Sequence, residues 1–143
     1  MGKWILKAVA VALLSTTAAW ANADYQTETL PYLKELRELA AVGLALDRQY
    51  DPMDMGQLRE CVHQARPYRE RAAELIPAAR GLRGMKERGH LIPAANSAMA
   101  CLACSGKTFE CLAVEQQLIQ LEEHWARPPV TDDEALTPWP GVE

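Results

Sequence analysis

The strongest constraint on this chain is its sulfur. Cys101, Cys104 and Cys111 fall in one short segment, "CLACSGKTFEC", and the fourth cysteine, Cys61, lies upstream. Four cysteines can make a haem anchor, a redox pair, a metal site or two cross-links, and each demands different surroundings. Covalent haem attachment through C-x-x-C needs a histidine next, and Ser105 stands there. A redox pair wants its first thiol at a helix N-terminus after a strand, where the dipole lowers its pKa. Cys101 and Cys104 instead close an alanine-rich helical stretch with no βαβ pattern before it. Zinc would need thiolates and a distant fourth ligand, Cys61 or a histidine. Two structural disulfides are what an even cysteine count in a small exported domain implies.

Export is read from the first 23 residues. Lys3 and Lys7 precede the apolar run Ala8–Leu14, and small residues lead to Ala21-Asn22-Ala23. These are the parts of a signal peptide cleaved after Ala23, with the bacterial periplasm as the expected destination. The apolar run is far shorter than the roughly 20 residues that span a bilayer, so no membrane span is expected after cleavage. Losing the two lysines takes the formal charge from −4 to −6. That acidity makes nucleic acid a poor partner.

The rest divides into a helical domain, residues 24–126, and a proline-rich acidic tail, residues 127–143. Tyr32, Leu36, Leu39, Gly43, Leu46 and Tyr50 recur at helical spacing, with Lys34, Glu35, Arg37 and Glu38 opposite, over a helix of residues 29–50. Pro31 fits only its opening turn. Asp54 is placed to cap a second helix, whose apolar face runs from Leu58 through Cys61, Ala65, Ala72, Leu75 and Ala79 to Leu82. Pro67 and Pro77 should kink or split it. Pro93 opens a third helix ending at Cys104. Thr108 caps a fourth, with Glu110 in its first turn and Cys111, Val114, Leu118, Leu121 and Trp125 as its seam. The expected fold is an all-α bundle of about four helices stapled by two disulfides, with an extended C-terminal tail. Of the three possible pairings, Cys101–Cys104 would close a trivial loop; the expected bridges are Cys104–Cys111, stapling the turn after the third helix, and Cys61–Cys101, tying the second helix to the third.

No catalytic constellation is legible, so no enzyme is expected and no catalytic residue is nominated. The mature chain has only Ser97 and Ser105, neither in a G-x-S-x-G setting, and no glycine-rich phosphate loop. Glu60 and His63 have di-iron spacing, but Leu121 stands where His124 would need a glutamate. A haem held between Met55, Met85 or Met99 and His63, His90 or His124 has no support from spacing, because methionines mostly fill core gaps. Neither cofactor nor metal is expected. A haem- or metal-binding bundle and a small periplasmic chaperone or adaptor are the alternatives.

What remains is surface. Between Arg66 and His90 seven cations face three acids, while the rest of the mature chain is strongly acidic. Arg66, Arg69, Arg80, Arg83, Lys86 and Arg88 are the candidate contacts for an acidic partner, on an otherwise solvated helix face. Trp139, flanked by Pro138 and Pro140, either packs back onto the bundle or is presented to a partner, docking with little entropy loss.

In outline the chain resembles the small helical periplasmic immunity proteins that neutralise cell-wall-degrading effectors of type VI secretion. The features that carry this are the Met1–Ala23 leader, the acidic all-α body, the paired cysteines and the missing catalytic groups. The resemblance implies a protein partner, a secreted effector enzyme whose cleft is plugged by a loop or helix edge, and often a homodimer. It carries over no individual residue.

Overall fold

In a computed structural model, which describes the backbone over residues 3–127 and the side chains over residues 23–127, each apolar stripe becomes the buried side of a helix. The helices are α1 (Lys3–Gln49), α2 (Met55–Arg80), α3 (Met85–Cys101) and α4 (Thr108–Ala126), with no strand among the described residues. The tail from Pro128 onward, Trp139 included, lies outside them. Also among the described residues, no helix is long and apolar enough to cross a membrane.

Helices α1 and α3 each touch all three other helices, whereas α2 and α4 do not touch each other. The bundle is therefore a four-cornered arrangement with α1 and α3 across its short diagonal. Alanines make that diagonal possible: Ala94, Ala95 and Ala98 of α3 are fully buried and let neighbouring backbones approach. Leu33, Leu36 and Leu39 of α1 fill the space with Leu91 of α3 and Val114, Leu118 and Leu121 of α4.

Several boundaries differ from the sequence expectation, each for a local reason. Helix α1 does not begin at Thr29 but runs unbroken through Ala23, with Pro31 inside it. The alanine- and leucine-rich stretch ahead of it favours helix on its own. Thr27 and Thr29 return their hydroxyls to the Ala23 and Tyr25 carbonyls at 2.9 and 2.6 Å, the bonding that suits a helix interior rather than a cap. Helix α2 is not split by Pro67 and Pro77. Both are exposed, so the carbonyls that lose their N–H partners face the solvent side, where helices tilt carbonyls to water anyway. Helix α3 starts at Met85 rather than Pro93, and Pro93 is again on the solvent face. Asp54 caps α2 as expected, accepting from the Gly56 and Gln57 amides at 2.8 and 3.0 Å. Those amides, Gln57 first, hold its carboxyl below the usual range. Thr108 is the first residue of α4 rather than its cap, which is Lys107.

The two disulfides exist, but their pairing is Cys61–Cys104 and Cys101–Cys111, not the expected Cys104–Cys111 and Cys61–Cys101. The reason is where α3 stops. It ends at Cys101, so Cys104 is not one turn along the same face but in the turn beyond, at φ 56°, a left-handed conformation rare for a side-chain-bearing residue. That reversal aims Cys104 back at α2 while Cys101 still faces α1 and α4. In the chain-entropy account the 43-residue closure contributes about 4 kcal/mol and the 10-residue closure about 3. The Cys101–Cys111 bridge lies on α1 at Gly43, where an added Cβ would stand 2.1 Å from Cys101 Sγ and 3.2 Å from Cys111 Sγ. Gly43 is small because sulfur occupies its side-chain space.

Candidate functional site

The disulfides dispose of one chemistry directly. All four sulfurs are bonded to each other, and a sulfur in a disulfide is neither a thiolate ligand nor a nucleophile. Glu60 and His63 are both exposed on α2, where Glu60 accepts from Gln64 at 3.2 Å. His90 meets Gln117 at 3.2 Å, and His90 and His124 line one polar cavity of ≈400 Å³ with Lys86, Glu123 and Arg127. Met55 and Met85 point to solvent, and Met99 belongs to a different groove from those histidines. Among the described residues, no group of three or more His, Cys, Asp or Glu side chains is placed to hold a metal ion.

The basic segment separates into two populations. Some of its cations tie helices together. Arg71 reaches across to Glu35 and Glu38 of α1 at 3.0 and 3.8 Å. Arg83 pairs with Glu28 at 3.2 Å and lies over the Tyr25 ring, 5.5 Å from its centroid. Arg88 donates to the Leu82 carbonyl at 3.3 Å, closing the loop between α2 and α3. The others, Arg66, Arg69, Arg80 and Lys86, are exposed and make no ion pair with any described residue.

Three of these four share one flank of α2 with a cation the sequence reading passed over. Arg59, Arg66, Arg69 and Arg80 are spaced by seven, three and eleven residues, intervals that return to one side of a 3.6-residue helix. Beside Arg66 and Arg69, between α2 and α3, lies an open groove of ≈370 Å³ lined by Val62, Ala73, Met99 and Glu70. Its lining sets three apolar side chains, Val62, Ala73 and Met99, beside two arginines and one glutamate. The signal for Arg59 was the heptad spacing to Arg66.

A second exposed feature occupies the far side. Phe109, Leu112 and Ile119 of α4 are 60, 61 and 44 % exposed and follow one another along the face turned away from the core. Because α2 and α4 make no contact, this apolar stripe and the arginine flank lie on opposite corners of the bundle.

The corner below α4 is fixed by a buried carboxylate. Glu87, in the first turn of α3 and 6 % exposed, accepts from the Trp125 indole N–H at 2.8 Å. Its position in that turn suits the positive end of the helix dipole. Gly84 is small for the same reason: a Cβ there would fall 1.9 Å from Glu87 Oε2. This contact pins the end of α4 to the start of α3.

No protein-family model, no curated protein and no solved structure matches this chain. The functional reading is therefore carried by its own surface.

Proposed function

We propose that the protein is an exported, non-enzymatic binding protein whose partner is another protein. In its most concrete form it is a periplasmic immunity protein that neutralises a secreted cell-wall-targeting enzyme by covering that enzyme's active site. The observation that carries the reading is the arginine flank of α2 beside the groove between α2 and α3. Arginine next to exposed apolar side chains is the composition of interface anchors, and a row of like charge with no ion pair among the described residues steers an acidic partner. The leader and the disulfides suit an oxidising compartment, the periplasm among them. A covalently braced bundle also suits plugging, because a rigid surface loses little entropy on docking.

The test is co-expression in the periplasm with cell-wall-degrading enzymes encoded beside this chain's gene. Protection of the cells, lost on Arg66→Glu with Arg69→Glu, supports the proposal. If no such enzyme is neutralised or bound at micromolar concentration, the proposal fails.

A further inference from the structure

We infer that the chain's own C-terminal segment, residues 128–143, is the resident occupant of the groove between α2 and α3, with Trp139 on its apolar side chains and Asp132, Asp133 and Glu134 on the arginine flank. This rests on the reading of that groove as a binding surface, and it names the chemistry the groove takes: an extended acidic segment with one aromatic anchor.

Charge complementarity is the first argument. Residues 128–143 carry Asp132, Asp133, Glu134 and Glu143 and no lysine or arginine. The flank they would face holds Arg66, Arg69 and Arg80, none paired to a described residue. Tethering raises the local concentration of these acids to the millimolar range, so weak contacts suffice.

Position and length are the second. The Trp125–Glu87 hydrogen bond holds the end of α4 against the first turn of α3, and Arg127, the residue before the segment, shares a cavity with Lys86 there. Helices α2 and α3 are joined by only four residues and run antiparallel. A chain laid along them from that point meets Arg80 first, then Arg69 and Arg66, then Val62 and Met99. From Met85 to Met99 the rise of α3 is about 21 Å. Trp139 lies twelve residues past Arg127, a reach of about 40 Å when extended, and the acids precede it. The order of chemistry on the segment matches the order along the path.

Fit is the third argument. A groove of ≈370 Å³ lined by Val62, Ala73 and Met99 accepts an indole with room to spare, and methionine sulfur and arginine both favour an aromatic face. Pro138 and Pro140 stiffen the chain on either side of Trp139, which lowers the entropy lost on docking.

The experiment replaces Trp139 with the photoreactive p-benzoylphenylalanine in the full exported protein and maps the cross-links by mass spectrometry. The expected product is an intramolecular link to residues 62–73 or to Met99. Arg66→Glu with Arg69→Glu should reduce its yield severalfold while circular dichroism shows the helices intact. A link to Phe109, Leu112 or Ile119, a link between two chains, or no link at all overturns the inference. So does an undiminished yield in the charge-reversed protein. Failure here leaves protection against a toxin still measurable, and failure of protection leaves the cross-link still measurable, so the two failures are distinguishable.

Discussion

Arg37 of α1 holds Glu122 of α4 at 2.8 Å and Glu115, two turns earlier on α4, at 3.1 Å. One guanidinium thus bridges two carboxylates that would otherwise repel each other along α4. The hydrogen bonds to Glu122 and then Glu115 raise Arg37 further above its ordinary value, and the Arg37 bond pulls Glu122 below the usual carboxylate range.

All three side chains are more than a third exposed, so water and salt screen the cluster and its worth is small. Arg37→Gln should cost about 1 kcal/mol in urea unfolding at low salt and less at 1 M NaCl. Because the folded-state pKa of Glu122 is depressed, its contribution is present above the unfolded glutamate pKa and lost as pH falls through the folded value. The difference between wild type and Arg37→Gln should therefore shrink in acid. A difference independent of both salt and pH would show that Arg37 acts through packing.

Asp47 titrates in the opposite sense. One of its carboxylate oxygens is buried without a hydrogen-bond partner, and desolvation raises its pKa against the opposing effect of the Gly106 amide. A raised folded-state pKa gives stability that is full below the unfolded pKa and lost as pH rises through the folded one. Asp47→Asn should accordingly raise Tm at pH 7 by about 2 °C, the scale of roughly 0.5 kcal/mol in a domain this size. The gain should vanish near pH 3. Equal Tm values at pH 7 would count against a desolvated charge at this position.

Two glycines to alanine should move stability in opposite directions. Gly43→Ala drives a methyl group into the Cys101–Cys111 bridge and should cost about 1–3 kcal/mol. Gly89→Ala, exposed within α3 with nothing in reach of its Cβ, should gain about 0.5–1 kcal/mol. Thermal melts of the two variants check both signs at once.

Non-reduced fragments cut between Cys101 and Cys104 should show Cys61 attached to Cys104 and Cys101 attached to Cys111. Removing Cys61 and Cys104 together should cost more than removing Cys101 and Cys111, by about 1 kcal/mol in the loop-entropy account. Fragments joining Cys61 to Cys101 would contradict the geometry of the turn.

The helices were legible because their apolar positions repeat: Leu33, Leu36 and Leu39, or Val114, Leu118 and Leu121, announce a buried face without help from tertiary structure. The pairing of the sulfurs was not, because it depends on α3 stopping at Cys101 rather than one turn later, a matter of a single left-handed residue. Proline misled in three helices for one reason. Its cost falls on the carbonyl four residues back, and whether water can reach that carbonyl is decided by the finished bundle. The basic segment was visible as composition. Its division into Arg71 and Arg83, which clamp α1, and Arg66 and Arg69, which edge a groove, needed the partner helix in place. Lys34, Glu35, Arg37 and Glu38 lie opposite the apolar stripe, and only the neighbouring helices show that Glu35, Arg37 and Glu38 pair across to α2 or α4.

Cys61, Cys101, Cys104 and Cys111 knit α2, α3, α4 and the turn between them into a closed covalent loop from which α1 alone is left out. That helix is thus the one member of the quartet held to the others by no sulfur bond. Oxidation can finish on three helices before α1 has docked, and α1 then seats itself by leucines and ion pairs that remain reversible.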